Sequence, residues 1–296
     1  MQTTTVVTQA ESTATAATTA TAAPDRIRIS FIGGGNMASA LIGGLVGKVC
    51  QGSDIHVVDL SVAGLEQLHT RFGVSTSSQI DQHIASSDVV LLAVKPQQLR
   101  EVAAQLAVHL QGQLVISIAA GIRSIDLSRW LNGYGNIVRT MPNTPALINQ
   151  GITGMYAMPQ VSAAQRAMAD AVMCAVGSTV WLDEEALIDP LTAVSGSGPA
   201  YVFYFIEAMQ KAALEMGLSA EQGTKLALAT FTGASQLAAQ ASEPISVLRE
   251  RVTSKGGTTF AALTSMEQSG IGASIVTALK AASDRSRELG DEFGQS

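Results

Sequence analysis

Gly33, Gly35 and Ala38 stand at G-x-G-x-x-A spacing, directly after the alternating Ile27, Ile29 and Phe31 and ahead of a run of small and apolar residues. A glycine at the first position permits a sharp turn and one at the second lets the backbone approach a pyrophosphate. A small third residue lets the following helix lie close on a sheet. The N–H groups of the helix start then face the phosphates. Asp59 ends a second apolar segment, 55–59, about where a dinucleotide-binding unit places the carboxylate that reads a ribose hydroxyl. Glycine turns also occur where nothing binds. Here the strand before, the helix after and the carboxylate beyond supply the context the motif requires, and favour a nucleotide site.

Other candidate chemistry lies at predicted strand ends. Lys95-Pro96-Gln97 closes an unbroken apolar run over 88–94, and Arg139-Thr140-Met141-Pro142-Asn143-Thr144-Pro145 closes a strand that begins at Asn136. Lys95 reads as a snorkelling surface lysine or, from its place at the binding edge, as a functional one. The stretch Val252-Thr253-Ser254-Lys255-Gly256-Gly257-Thr258-Thr259 is dense in hydroxyls and glycine. It reads equally as a cradle of N–H and O–H donors for a carboxylate and as a flexible link capped by Thr258 or Thr259.

The elements that must position these residues alternate. Strands are predicted from Arg26, over 55–59, 88–94, 114–118 and 136–139, with helices over 62–72, 79–86, 96–110 and 124–131 between them. Continuous apolar strands suit a parallel sheet covered on both faces. Two more strands, 151–158 and 179–182, flank a helix over 162–176. From there the pattern is helical: 187–194 and 199–216 around the small-residue break Ser195-Gly196-Ser197-Gly198, then 220–241, 246–251, 260–268 and 273–289. The fold class is α/β: an N-terminal doubly wound Rossmann-like domain, 26–184, followed by an all-helical C-terminal domain, 185–296. Residues 1–25, rich in Thr and Ala, read as a disordered tail.

Bulk properties exclude several functions. The 296 residues carry a net charge of -6, with an isoelectric point near 5.2. Such a chain offers no basic surface for nucleic acid. A mean hydropathy of +0.26 with 14% charged residues points to extra buried surface between subunits. No apolar run reaches the roughly 20 residues that span a bilayer. Cys50 and Cys174 have neither metal-ligand spacing nor the density of a disulfide framework, which fits reduced thiols in a cytoplasm. His56, His69, His83 and His109 form no obvious ligand pair, so no metal site is expected.

Five stretches in register, Phe31-Ile32-Gly33-x-Gly35-Asn36-Met37-Ala38, Val94-Lys95-Pro96-Gln97, Met141-Pro142-Asn143-Thr144-Pro145, Ser195-Gly196-Ser197-Gly198-Pro199-Ala200-Tyr201 and Val252-Thr253-Ser254-x-Gly256-Gly257-Thr258-Thr259, resemble pyrroline-5-carboxylate reductase. The resemblance runs from about Arg26 to Leu289. It implies reduction of 1-pyrroline-5-carboxylate to L-proline by hydride transfer from NADPH or NADH, the last step of proline biosynthesis. It also implies a homodimer with intertwined helical domains that assembles further, to a homodecamer.

The resemblance further implies that Gly33, Gly35, Asn36 and Met37 hold the pyrophosphate, and that Ala93, Lys95 and Pro96 lie along the cofactor, with Asn143 near the same cleft. Ser254, Gly257, Thr258 and Thr259 would hold the substrate carboxylate, which decides the loop's reading for function. Thr192 matches a hydroxyl position beside the imine and, with Lys95, is the candidate for a catalytic side chain. An imine that binds already protonated needs orientation and a dry site more than a strong acid.

The sequence departs from the family in one loop position, Lys255 standing where proline is usual. Asp59 argues for NADH, while the hydroxyl of Ser61 suits the 2′-phosphate of NADPH, so acceptance of both is expected. The rival enzyme reading is a β-hydroxyacid dehydrogenase or imine reductase, but neither Lys211 nor Lys225 sits in a catalytic motif. A nucleotide sensor without catalysis would show an eroded substrate loop, and Ser254 and Gly256 to Thr259 are intact.

Overall fold

The computed structural model describes residues 26–295; the tail expected over 1–25 lies outside them. Eight strands, β1 (Ile29–Ile32), β2 (Ile55–Val58), β3 (Ser75–Ser77), β4 (Val89–Leu92), β5 (Leu114–Ser117), β6 (Ile137–Met141), β7 (Gly151–Ala157) and β8 (Gly177–Trp181), form one sheet in the order 3-2-1-4-5-6-7-8. The first six are parallel. Strand β7 runs antiparallel to β6, and β8 parallel to β7.

Helices α1 (Asn36–Leu45), α2 (Val62–Phe72), α3 (Pro96–Leu106), α4 (Ser124–Trp130) and α5 (Ala163–Met173) cover the sheet. Strands β1, β2, β4 and β5 are buried at every residue, as parallel strands between two helical layers must be. Alternate side chains serve the two layers: Phe31 and Leu91 pack with Leu41 of α1 and Val172 of α5, while Ile32 and Leu92 pack with Leu99 of α3 and Leu127 of α4.

The helical part comprises α6 (Ile188–Leu191), α7 (Gly198–Glu215), α8 (Ala220–Gln240), α9 (Ile245–Arg251), α10 (Thr258–Gln268) and α11 (Ile271–Gly294). The last returns to the sheet domain, where Arg123 bonds Asp291 at 2.7 Å and Leu289 and Phe293 cover Gly121. The almost fully buried Arg139 of β6 pairs with Glu185 at 3.0 Å, and the same carboxylate oxygen accepts the Ser124 N–H at 2.6 Å. Glu185 thus joins two sheet-domain elements to the start of the helical part.

Three sequence expectations are corrected. The stretch 79–86 is a 3₁₀ turn over Gln82–Ser86 rather than a helix. It is preceded by the strand β3, whose Ser-Thr-Ser sequence carries no apolar period to announce it. The helix expected over 96–110 is α at Pro96–Leu106 and ends in a 3₁₀ turn, Ala107–His109. The small-residue stretch 195–198 is not a break. Residues Thr192–Gly196 form a single π turn between α6 and α7, closed by the Ser197 N–H on the Thr192 carbonyl at 2.8 Å.

Candidate functional site

The β1–α1 turn is built on Gly33. Its φ of +104° is left-handed territory, and a Cβ there would lie 2.7 Å from the Ala93 carbonyl at the end of β4, so no other residue fits without displacing backbone. Its N–H donates to the Val58 carbonyl at 2.8 Å, which fixes the turn against β2. Gly35 differs: its φ is −69°, and a Cβ would meet no protein atom within 4 Å. The space above it is open. Because the first helical bond runs from the Ser39 N–H to the Gly35 carbonyl, the N–H groups of Asn36, Met37 and Ala38 form the acceptor-free first turn of α1. Ala38, 1% exposed, lets that helix sit close on the sheet. Bare backbone, open space and a helix N-terminus together fit a pyrophosphate.

Asp59 is held from two sides. Oδ2 accepts the Gly34 N–H at 2.6 Å and Oδ1 accepts the Ser61 N–H at 2.8 Å, so the carboxylate ties the glycine turn to the start of α2. Beside it opens a cavity of about 500 Å³, lined by Gly33, Asp59, Ser78, Ile80, Val94 and Gln98 among others. Of the residues expected to bind a cofactor, Gly33 and Asp59 line this cavity. Lys95 stands at the N-cap position of α3 without a side-chain capping bond, Pro96 follows at its first position, and neither lines the cavity. Ser78 and Ile80 escaped the sequence reading because they follow a strand with no apolar signal.

Asn143 is almost fully buried and has both ends of its amide engaged, Nδ2 donating to the Ser195 carbonyl at 3.2 Å and Oδ1 accepting the Ile152 N–H at 2.9 Å. It clamps the end of β6 to the π turn. Thr192, within that turn, donates its hydroxyl proton to the Ile188 carbonyl at 2.7 Å. Its remaining capacity is as an acceptor.

The hydroxyl and glycine loop leads into α10. Gly256 has φ +77°, Gly257 is the N-cap, and its N–H bonds the Ser254 carbonyl at 2.9 Å. Ser254, Lys255 and Thr258 are exposed, and no residue of the loop lines the 500 Å³ cavity. The fold also brings His56 and His83 together with Asp81, a grouping their sequence spacing hides. Burial lowers the pKa of the His56 imidazole, against the opposing effect of Asp81.

Two family models match the chain: one described as pyrroline-5-carboxylate reductase dimerisation over residues 185–289, and one described as NADP oxidoreductase, coenzyme F420-dependent, over residues 28–121. The chain is 45% identical over 269 residues to a pyrroline-5-carboxylate reductase of Pseudomonas aeruginosa, covering 90% of this chain and 98% of that one. It is 40% identical over 263 residues to a pyrroline-5-carboxylate reductase of Haemophilus influenzae, covering 88% and 97%. Among solved structures, a pyrroline-5-carboxylate reductase from Coxiella burnetii superposes with a TM-score of 0.85 at 38% identity, covering 89% of this chain and 98% of that one. The Plasmodium falciparum pyrroline carboxylate reductase with NADP bound superposes at 0.80 with 28% identity, covering 90% and 99%.

Proposed function

The chain belongs to the pyrroline-5-carboxylate reductase family, and from that premise we propose how its own residues carry out the reaction. The protein is an NAD(P)-dependent oxidoreductase that reduces 1-pyrroline-5-carboxylate to L-proline. The observation that carries the mechanism is the open backbone at Gly35 in front of the acceptor-free first turn of α1. Gly33, Gly35, Asn36 and Met37 hold the pyrophosphate there, with Asp59 at the ribose. Ala93, Lys95 and Pro96 run alongside towards the nicotinamide, and Asn143 sets the position of the neighbouring π turn. When bound, the reduced nicotinamide supplies the hydride.

The substrate needs its carboxylate anchored and its ring nitrogen oriented. Ser254, Gly257, Thr258 and Thr259 supply hydroxyls and the N-terminus of α10 for the carboxylate. Thr192 donates its hydroxyl proton to the Ile188 carbonyl, which favours an orienting role over a proton relay. Its oxygen accepts the N–H of an imine that enters protonated, and this keeps the electrophilic form in place. Thr192→Val tests that role, with a fall in kcat/KM for the imine expected at unchanged nucleotide affinity. Unchanged turnover would remove Thr192 from the mechanism.

We further propose a boundary near residue 184 between the nucleotide domain and the helical domain, and a homodimer, assembling to a homodecamer, through the latter. Helices α7, α8 and α10 expose Phe203, Tyr204, Leu214, Leu226, Leu237 and Phe260, more apolar surface than a lone helical domain leaves to water. With the substrate loop outside the nucleotide cavity of its own chain, a partner's loop completing each site accounts for both observations. Among the described residues no helix is long and apolar enough to cross a membrane, and a cytoplasmic location suits a chain with two free thiols.

A further inference from the structure

His56 lies on β2 with its side chain 8% exposed, and its Nε2 is buried without a hydrogen-bond partner. Its neighbours accommodate a proton on Nδ1. The Ser75 hydroxyl lies 3.2 Å from the Ile55 carbonyl and 2.9 Å from His56 Nδ1, so with its proton on the carbonyl it accepts one from Nδ1. In that tautomer Nε2 presents a bare lone pair. It faces Asp81 Oδ1 at 3.6 Å, and that oxygen lies 2.9 Å from Nδ1 of His83.

A buried, unpaired imidazole nitrogen costs free energy unless something meets it. A cation does so. The three ligand atoms all lie within 4.8 Å of one another; tetrahedral zinc, with arms of about 2.0–2.1 Å, needs separations of about 3.4 Å. The Nδ1–H bond to Ser75 is the outer hydrogen bond that orients metal-binding histidines. The His56 and His83 rings stack at 4.6 Å, so convergence on one ion takes a rotation of the His83 side chain, which is 58% exposed, out of that stack.

We propose that His56, Asp81 and His83 form a binding site for a divalent transition cation of the zinc class, with a water completing the shell. Two nitrogens and one carboxylate oxygen suit such an ion better than magnesium or calcium. The site also has a place in the architecture. Asp81 and His83 directly follow Ser78 and Ile80, which wall the 500 Å³ cavity beside Asp59, so an ion at the cluster braces that wall.

The test uses the full chain, stripped with a chelator and titrated with Co²⁺ while its visible absorption is followed, then with Zn²⁺ by calorimetry. One equivalent bound is expected, weakened at least tenfold by His83→Gln and by Asp81→Asn, both at accessible positions, and unaffected by the control His109→Gln. No binding by the wild type, or binding by the two variants as tight as that of the wild type, would overturn the site. Bracing predicts that nucleotide binds at least twofold tighter with Zn²⁺ present, and not in His83→Gln. Equal nucleotide affinity with and without the ion would overturn the bracing.

Discussion

The carboxylate of Asp59 accepts the backbone N–H of Gly34 at 2.6 Å, joining the residue proposed for the ribose to the turn proposed for the pyrophosphate. One side chain therefore shapes the turn and, in the proposed cofactor site, places a negative charge near the ribose. A second bond to the Ser61 N–H holds its orientation, while each oxygen keeps a lone pair for a ribose hydroxyl.

Replacing Asp59 by serine separates these roles. Losing the charge relieves repulsion of a 2′-phosphate, so the ratio of kcat/KM for NADPH over NADH rises by about tenfold, equivalent to ~1.4 kcal/mol. Losing two backbone acceptors lowers stability by about 1 kcal/mol per bond. Steady-state kinetics with both cofactors and a thermal melt read the two effects, and an unchanged ratio would remove Asp59 from cofactor selection.

Two glycines of one motif should respond differently to alanine. Gly33→Ala forces a side chain into left-handed backbone against the Ala93 carbonyl and costs about 1–3 kcal/mol, with loss of nucleotide binding. Gly35→Ala meets no protein atom, so it should melt like the wild type yet bind nucleotide more weakly, because the methyl occupies the space proposed for the pyrophosphate. Equal melting temperatures for both variants would contradict this.

Acid should weaken the sheet domain through Asp54. Its pKa is held below the ordinary carboxylate value, chiefly by its hydrogen bond with Arg26 and against the opposing effect of burial. The unfolded chain then takes up this proton first as pH falls, so the contribution is present above about pH 4 and is lost as pH drops through the folded value. Arg26→Ala should flatten that part of the stability profile, as measured by urea melts across pH. A profile with the wild-type slope would contradict the pairing.

The thiols differ in environment. Cys50 is buried, and burial, helped by Asp54, pushes its pKa up to about 11, whereas Cys174 is exposed. At pH 8 a thiol reagent should modify one equivalent at Cys174 in the native protein and two in denaturant. Peptide mapping that found Cys50 modified in the native state would contradict the packing around β2.

The alternating strands and the helix over 62–72 were legible in the sequence because their apolar period is strong and their ends carry turn residues. The turn at Gly33 and its proximity to Asp59 were legible because such a turn depends on spacing. The role of the loop over 252–259 was not: its hydroxyls support two readings, and only the family resemblance favours the substrate carboxylate. Strand β3 and the cavity wall after it were hidden by a polar sequence at a sheet edge. The clamp made by Asn143 and the meeting of His56 with His83 depend on contacts between distant segments, which no local pattern encodes.

The central claim is hydride transfer to a five-membered cyclic imine. The most direct measurement mixes the purified protein with 1-pyrroline-5-carboxylate and either NADPH or NADH, with the six-membered homologue alongside, and follows the absorbance of the reduced nicotinamide. Rapid oxidation with the five-membered imine and formation of L-proline are predicted. No oxidation with either cofactor, in protein shown to be folded and to bind nucleotide, would contradict the account.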